Sequence, residues 1–188
     1  LGPWRTPSTI VIRAEFLTGG PTTGQRPEAL FAHIPGLRVV IPSTPHDAYG
    51  LMKSALETPG VTLYFEDRMI SDAGPWADWD LATGSAVDFG LAHYRRGDVT
   101  VITYGVMRQR VEPLDCGMVA LVSSCPLDWE TLEMAARHSG RLLIVEPDVA
   151  YGGVGAEIAA WVAEERPRCW VKRLGARRET IPSAPAST

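Results

Sequence analysis

Two glycine runs, three thiols and four imidazoles are the residues of this sequence whose types and spacing could do chemistry. Thr18-Gly19-Gly20-Pro21-Thr22-Thr23-Gly24 joins an apolar run to an amphipathic one, and a loop of this kind can bring backbone N–H groups close to an anion. It lacks the spacing of a Walker loop or a GxGxxG fingerprint, so phosphate binding is weakly indicated. Gly152-Gly153-Val154-Gly155-Ala156-Glu157 opens a helix. No acidic residue follows at the distance a dinucleotide site needs, so the reading is close packing of helix on sheet. Cys116, Cys125 and Cys169 are odd in number and have no CxxC spacing. That speaks against a disulfide framework or a zinc site and fits a reducing cytoplasm, with packing thiols the main reading and a Cys/His pair the alternative. His33, His46, His93 and His138 are candidate bases, but none is assigned; His33 and His46 fall near helix ends, where capping or solvation is the ordinary role.

The elements that must position these groups are ordinary for a globular chain. At 188 residues with 45% hydrophobic and 21% charged residues, the chain can bury a real core in one or two domains. A net charge of −4 argues against a general nucleic-acid surface, and the 16 arginines against 2 lysines read as coding bias. No apolar run reaches the roughly 20 residues a bilayer span needs. The chain opens on LGPWRTP without Met and runs at once into a strand, so it is expected to be a processed or partial chain.

Thr9 to Ala14 reads as a strand buried on both faces. Gln25 to His33 reads as a helix with Leu30, Phe31 and Ile34 on one face, stopped by Pro35-Gly36, and Leu37 to Ile41 as the next strand. Thr44 is an N-cap with Pro45 at the first helical position and Asp47 three residues on. Ala48, Leu51, Met52, Ala55 and Leu56 form that helix's apolar face, and Val61 to Phe65 the third strand. Short connections imply parallel strands under right-handed crossovers. Three strands and two helices make a poor independent domain with unpaired edges, so this half is expected to be incomplete.

Residues 68 to 97 are polar and glycine-rich and read as a surface linker; Trp76 and Trp79 within it would cover an apolar patch or stack on a ligand. Val87 to Arg95 turns through Arg96-Gly97-Asp98 into the next strand, a hairpin signal. A second α/β unit follows, with strands at 99–104, 118–122, 141–145 and 171–174. Asp128 caps its main helix, which closes through Arg137, His138 and Gly140. Between Tyr104 and Met118 only thirteen residues are available, interrupted by Pro113, so any helix there is short or deformed.

IVIRA, QRPEALFAHIPGLRVVIPSTPHDAYGLMKSAL, VTVITYG, CPLDWETLE, GRLLIVEPD and GGVGAEIAAWVAEE, in that order, resemble the beta subunit of thiamine-diphosphate-dependent 2-oxo acid dehydrogenases, which are transketolase-like decarboxylases. The resemblance covers nearly the whole chain. It implies an α/β fold with a partial parallel-sheet pyrimidine-binding domain followed by a transketolase C-terminal-like α/β domain. Residues 1–75 would be the second half of the pyrimidine domain, 76–96 linker and hairpin, and 97–188 the C-terminal domain. It further implies thiamine diphosphate and magnesium, bound only in the assembled complex. The implied partners are an alpha-type subunit carrying the diphosphate-binding domain and a chain carrying the first half of the pyrimidine domain, in a cytoplasmic hetero-oligomer without nucleic acid or membrane.

Departures from the family pattern sharpen the question. The family's catalytic glutamate and the residues that hold the cofactor ring belong to the first half of the pyrimidine domain and have no counterpart in this sequence. Where the family carries a histidine in a QHSQ-like pattern, this chain has Thr22-Thr23-Gly24-Gln25, which makes Thr23, with Gln25, the implied catalytic position. An imidazole titrates near neutrality and can move protons; a threonine hydroxyl can hydrogen-bond but is no base at pH 7. The acidic position that docks the basic subunit-binding domain of the acyltransferase core corresponds to Arg168, a reversed charge. The potassium-site loop corresponds to Glu57-Thr58-Pro59-Gly60 and is one residue shorter, which leaves open whether potassium binds. Two functions follow: one piece of a split enzyme that decarboxylates a 2-oxo acid and passes the acyl or two-carbon unit to an acceptor, or a non-catalytic interaction subunit of such a complex. A fragment of an ordinary beta subunit is the third possibility.

Overall fold

The structure, a computed structural model, describes residues 8–16, 24–71 and 85–179. The first sheet has the order β1-β3-β2-β7, from β1 (Thr9–Phe16), β2 (Leu37–Val40), β3 (Gly60–Asp67) and β7 (Ser123–Cys125). β1 and β2 both run parallel to β3, as crossover connections require. The second sheet has the order β4-β6-β5-β8-β9, from β4 (Ala92–Arg95), β5 (Thr100–Tyr104), β6 (Gly117–Leu121), β8 (Arg141–Val149) and β9 (Trp170–Ala176). Only β4 is antiparallel in it.

One stretch of chain, 117–125, belongs to both sheets. It runs as β6 between β4 and β5 of the second, and after Val122 it crosses to pair antiparallel with β2. The Ile41 N–H donates to Val122 O at 2.8 Å across this crossing. The two sheets therefore share one apolar core: Val39, Leu63 and Phe65 from the first join Ile102, Val119 and Ile144 from the second.

The helices follow their sequence signals closely where caps are strong. α2 (Pro45–Glu57) begins at Thr44, whose hydroxyl accepts from Asp47 N at 3.1 Å. α5 (Trp129–Ser139) begins at Asp128, which accepts from Thr131 N at 2.9 Å, and ends on Gly140 at φ 60°, the left-handed position that favours glycine. α6 (Val154–Glu165) buries Ile158 and Val162 on the second sheet. α4 (Met107–Val111) is a single short turn between β5 and β6, as the available length dictates. α3 (Arg68–Ser71) follows β3 directly.

Three expectations are corrected. β1 is not buried on both faces: it is the edge strand among the described residues, and Ile10 and Ile12 are about half exposed. α1 spans only Glu28–Ala32, and of the expected apolar face Phe31 packs on the core while Leu30 and Ile34 are exposed. Leu30 is 76% exposed, whereas Glu28 is fully buried, because the strand ends of both sheets, distant in sequence, cover the Glu28 side. The hairpin through Arg96-Gly97-Asp98 does not form; β4 pairs with β6 and not with β5. The Arg95 guanidinium donates to the carbonyls of Glu112, Leu114 and Cys116, tying β4 to the loop that feeds β6. Gly97 makes that possible, since a Cβ there would sit 2.1 Å from Gly117 N. Trp76 and Trp79 lie outside the described residues.

Candidate functional site

Thr23 lies outside the described residues. Gln25 is exposed in the segment that leads into α1, and Arg168 is exposed in the turn after α6. Arg168 lines a cavity of about 430 Å³ with Arg137, Glu165, Arg166 and Cys169, to which α1 contributes nothing. The structure therefore places Gln25 and Arg168 in separate regions.

What the fold does bring together is a set of buried charges where the strands of both sheets end. This is where open parallel sheets leave a crevice. Arg26, just ahead of α1, ion-pairs with Asp67 at the end of β3 and lies 3.8 Å from Glu28. Its guanidinium rests 4.4 Å above the Phe16 ring at the end of β1. From the second sheet come Tyr104 at the end of β5 and Glu146 and Asp148 near the end of β8, all buried. Glu146 accepts from Gly155 N at 2.9 Å, and Arg173 on β9 approaches it at 3.3 Å. Arg173 also donates to Ala150 O.

Burial dominates the acidities here. It pushes the Glu28 carboxyl up to about 7, only partly offset by its own backbone and Arg26. It raises Glu146 against the opposing hydrogen bond from Gly155 and the charge of Arg173. It raises Asp148 likewise, and holds the Tyr104 phenol well above its ordinary value. The second glycine run is explained by the same carboxylate. A Cβ at Gly153 would lie 2.5 Å from Glu146 Oε2, and one at Gly155 2.7 Å from Glu146 Oε1. The glycines let α6 close onto β8 over a buried acid, so the packing reading of this run holds.

A second cluster, unforeseen in the sequence, centres on Asp47. Its side chain is fully buried, accepts from Ser43 N at 3.2 Å and Ser43 Oγ at 2.8 Å, and has His93 Nε2 2.7 Å away. Arg108 of α4 lies 3.6 Å from the same carboxylate. Burial pushes Asp47 up, but the hydrogen bond and charge of His93, with Ser43 and Thr44, outweigh it and hold the carboxyl at about 2. Aspartate at the third helical position signals a cap; that it would bridge α2 to β4 and α4 could not be read from local spacing. The serine hydroxyl bonds the carboxylate and not the imidazole, so this is no nucleophilic triad. Burial raises the Cys125 and Cys169 thiols, which disfavours the thiolate a nucleophile needs.

A cavity of about 650 Å³ opens where α1, β7 and α6 meet, walled by Ala32 and the following His33, Ser124 and Cys125 of β7, and Gly152 and Gly153 ahead of α6. Pockets at a junction of this kind are common ligand sites. Among the described residues no group of three or more His, Cys, Asp or Glu could hold a metal ion. The cationic groups at the strand ends are already committed to carboxylates.

Residues 3–71 match the family described as transketolase, pyrimidine binding domain, and residues 91–188 match transketolase, C-terminal domain. The chain is 36% identical over 180 residues to the 2-oxoisovalerate dehydrogenase subunit beta of Bacillus subtilis, covering 86% of this chain and 52% of that protein. It is 31% identical over 171 residues to the acetoin:2,6-dichlorophenolindophenol oxidoreductase subunit beta of Cupriavidus necator, covering 83% and 49%. The pyruvate dehydrogenase E1 component subunit beta of Staphylococcus epidermidis is 31% identical over 176 residues, covering 84% and 52%. The chain thus spans about half the length of the curated relatives it matches. Among solved structures, a chain titled split gene transketolase, inactive beta4 tetramer, superposes with a TM-score of 0.71 at 23% identity, covering 89% of this chain and 57% of that one, a likeness of fold.

Proposed function

The chain belongs to the thiamine-diphosphate-dependent transketolase family, in the branch of the 2-oxo acid dehydrogenase beta subunits, and from that premise we propose that it works as one component of a 2-oxo acid-decarboxylating assembly. The single observation that carries this reading is the match of both segments, 3–71 and 91–188, in family order, on a fold whose strand ends converge at one junction. The domain division at about residues 75 and 97 is part of the same reading.

In this proposal the chain contributes the back of the cofactor site. An alpha-type subunit supplies the diphosphate-binding domain with its magnesium, and the first half of a pyrimidine domain supplies the catalytic glutamate. Thiamine diphosphate, when bound, supplies the carbanion chemistry. Of this chain's residues, Arg26, paired with Asp67, anchors the start of α1 to the end of β3. Thr23, carrying a hydroxyl and no base, favours positioning of substrate or acceptor over proton transfer. Arg168 favours a docking partner without the basic surface that family acyltransferase cores present. The proposal assigns transfer to an acceptor other than a lipoyl domain.

The test is reconstitution. Mixing the chain with an alpha-type subunit and a first-half pyrimidine segment, then supplying thiamine diphosphate, magnesium and either pyruvate or 2-oxoisovalerate, should release carbon dioxide. Omission of any one chain should abolish the release. Binding among the chains without decarboxylation of either acid would favour the non-catalytic subunit instead.

A further inference from the structure

The network at the strand ends contains one group that the proposed function does not use. Glu28 is fully buried, and neither carboxylate oxygen has a hydrogen-bond partner on another of the described residues. The nearest cation, Arg26 at 3.8 Å, is engaged by Asp67 at closer range. Among the described residues, the other elements around it add negative or neutral groups, or cations engaged elsewhere. Asp67 stands at the end of β3, Tyr104 at the end of β5, and Glu146 and Asp148 on β8. Arg173 on β9 is bound to Glu146 and Ala150. Of the strands that α1 packs on, β7 offers the Cys125 thiol, and Arg38 of β2 is spent on the Pro59 and Thr58 carbonyls. With Glu28 ionised, four carboxylates (Glu28, Asp67, Glu146, Asp148) would face two guanidiniums (Arg26, Arg173), around a Glu28 side chain that water does not reach although Arg26 and Arg173 keep partial exposure. With Glu28 neutral, three face two.

A buried carboxylate without a donor costs far more than a buried neutral acid. We propose that the junction between the two sheets is proton-gated through Glu28: the closed arrangement is the form in which its carboxyl carries a proton, and ionisation loosens α1 from the strand ends of the second sheet. Glu28 is placed to act in this way because α1 touches both β2 and β7, the two strands through which the sheets are joined. The gate adds a regulatory property to the junction and does not depend on any catalytic activity of the chain.

The sign follows from linkage. The folded-state value of about 7 lies above the ordinary 4.5, so the folded chain holds the proton more tightly than the unfolded one. The benefit is complete below 4.5 and is lost as pH rises to about 7. Over that interval the folding equilibrium of the wild type relative to Glu28→Gln should fall on the order of 10²-fold. The experiment is chemical denaturation of both forms from pH 4 to 9, with the Glu Cδ resonance followed by carbon NMR and amide exchange followed at Ser123–Cys125. A Glu28 midpoint near neutrality, absent in Glu28→Gln, with faster exchange of β7 above it in the wild type only, is the expected result. Should Glu28→Gln fold poorly, Asp148→Asn serves instead: removal of a neighbouring negative charge must lower the Glu28 midpoint. A midpoint in the usual carboxylate range, or one that Asp148→Asn leaves in place, or exchange at β7 indifferent to pH, would overturn the proposal.

Discussion

Replacing Asp47 with asparagine isolates the cluster that ties α2 to β4 and α4. The carboxylate is held at about 2 against an ordinary 3.8, so the folded chain binds this proton more weakly than the unfolded chain does. Stability from the pair is therefore complete above 3.8 and drains away as pH falls through about 2. Each pH unit is worth about 1.4 kcal/mol, so the interval amounts to about 2–3 kcal/mol at neutral pH. His93 is 40% exposed and Arg108 18% exposed at the side chain, so both can turn to water when the charge is removed. That keeps the loss below the roughly 3–5 kcal/mol of a fully enclosed broken pair. Urea denaturation of the wild type and Asp47→Asn at a series of pH values should show a gap of about 2–3 kcal/mol at pH 7 that closes between pH 4 and 2. A gap under about 0.5 kcal/mol, or one that stays constant across the acid range, would refute the assignment of the cluster as an ionic latch.

Gly155→Ala should cost about 1–3 kcal/mol by denaturation despite alanine's better helix propensity, because its Cβ would meet Glu146 Oε1 at 2.7 Å and Ile144 Cγ2 at 2.8 Å. Gly140→Ala, with open space around the Cβ but φ at 60°, should lose only about 1 kcal/mol. Leu132→Ala, fully buried in the shared core, should lose about 2–5 kcal/mol in a single transition if the two sheets unfold together; two separated transitions would argue that they do not. Arg168→Glu restores the family sign at the proposed docking position, and calorimetry with a basic subunit-binding domain should then register binding that the wild type lacks. Equal heats from both forms would remove Arg168 from the docking surface.

Local signals carried the architecture a long way. The Thr44 and Asp128 caps, the Gly140 stop and the apolar strands all fell where β-branched runs and capping chemistry put them. The failures share one cause, which is that burial of an element depends on neighbours distant in sequence. β1 has the composition of an inner strand but sits at the edge of the described sheet. The face of α1 depended on whether Leu30 or Glu28 turned inward, and periodicity alone favours the leucine. β4 skips β5 because Arg95 finds three carbonyls beyond it and Gly97 permits a close crossing. Of the candidate site, the glycine run before α6 was legible as a packing device, though not that its counterpart was a carboxylate. The Asp47–His93 pair spans 46 residues and the charges around Glu28 come from both sheets, so neither leaves a motif. Thr23 stands outside the described residues, and its role rests on the family pattern.

The central claim is that this chain completes a thiamine diphosphate site only together with other chains. Isothermal titration of thiamine diphosphate with magnesium tests it directly, first into the chain alone, then into the chain with an alpha-type subunit, and last with a first-half pyrimidine segment added. The account predicts no binding heat from the chain alone and saturable heat from the full set. Saturable binding by the chain alone, or no binding in any combination, would contradict it.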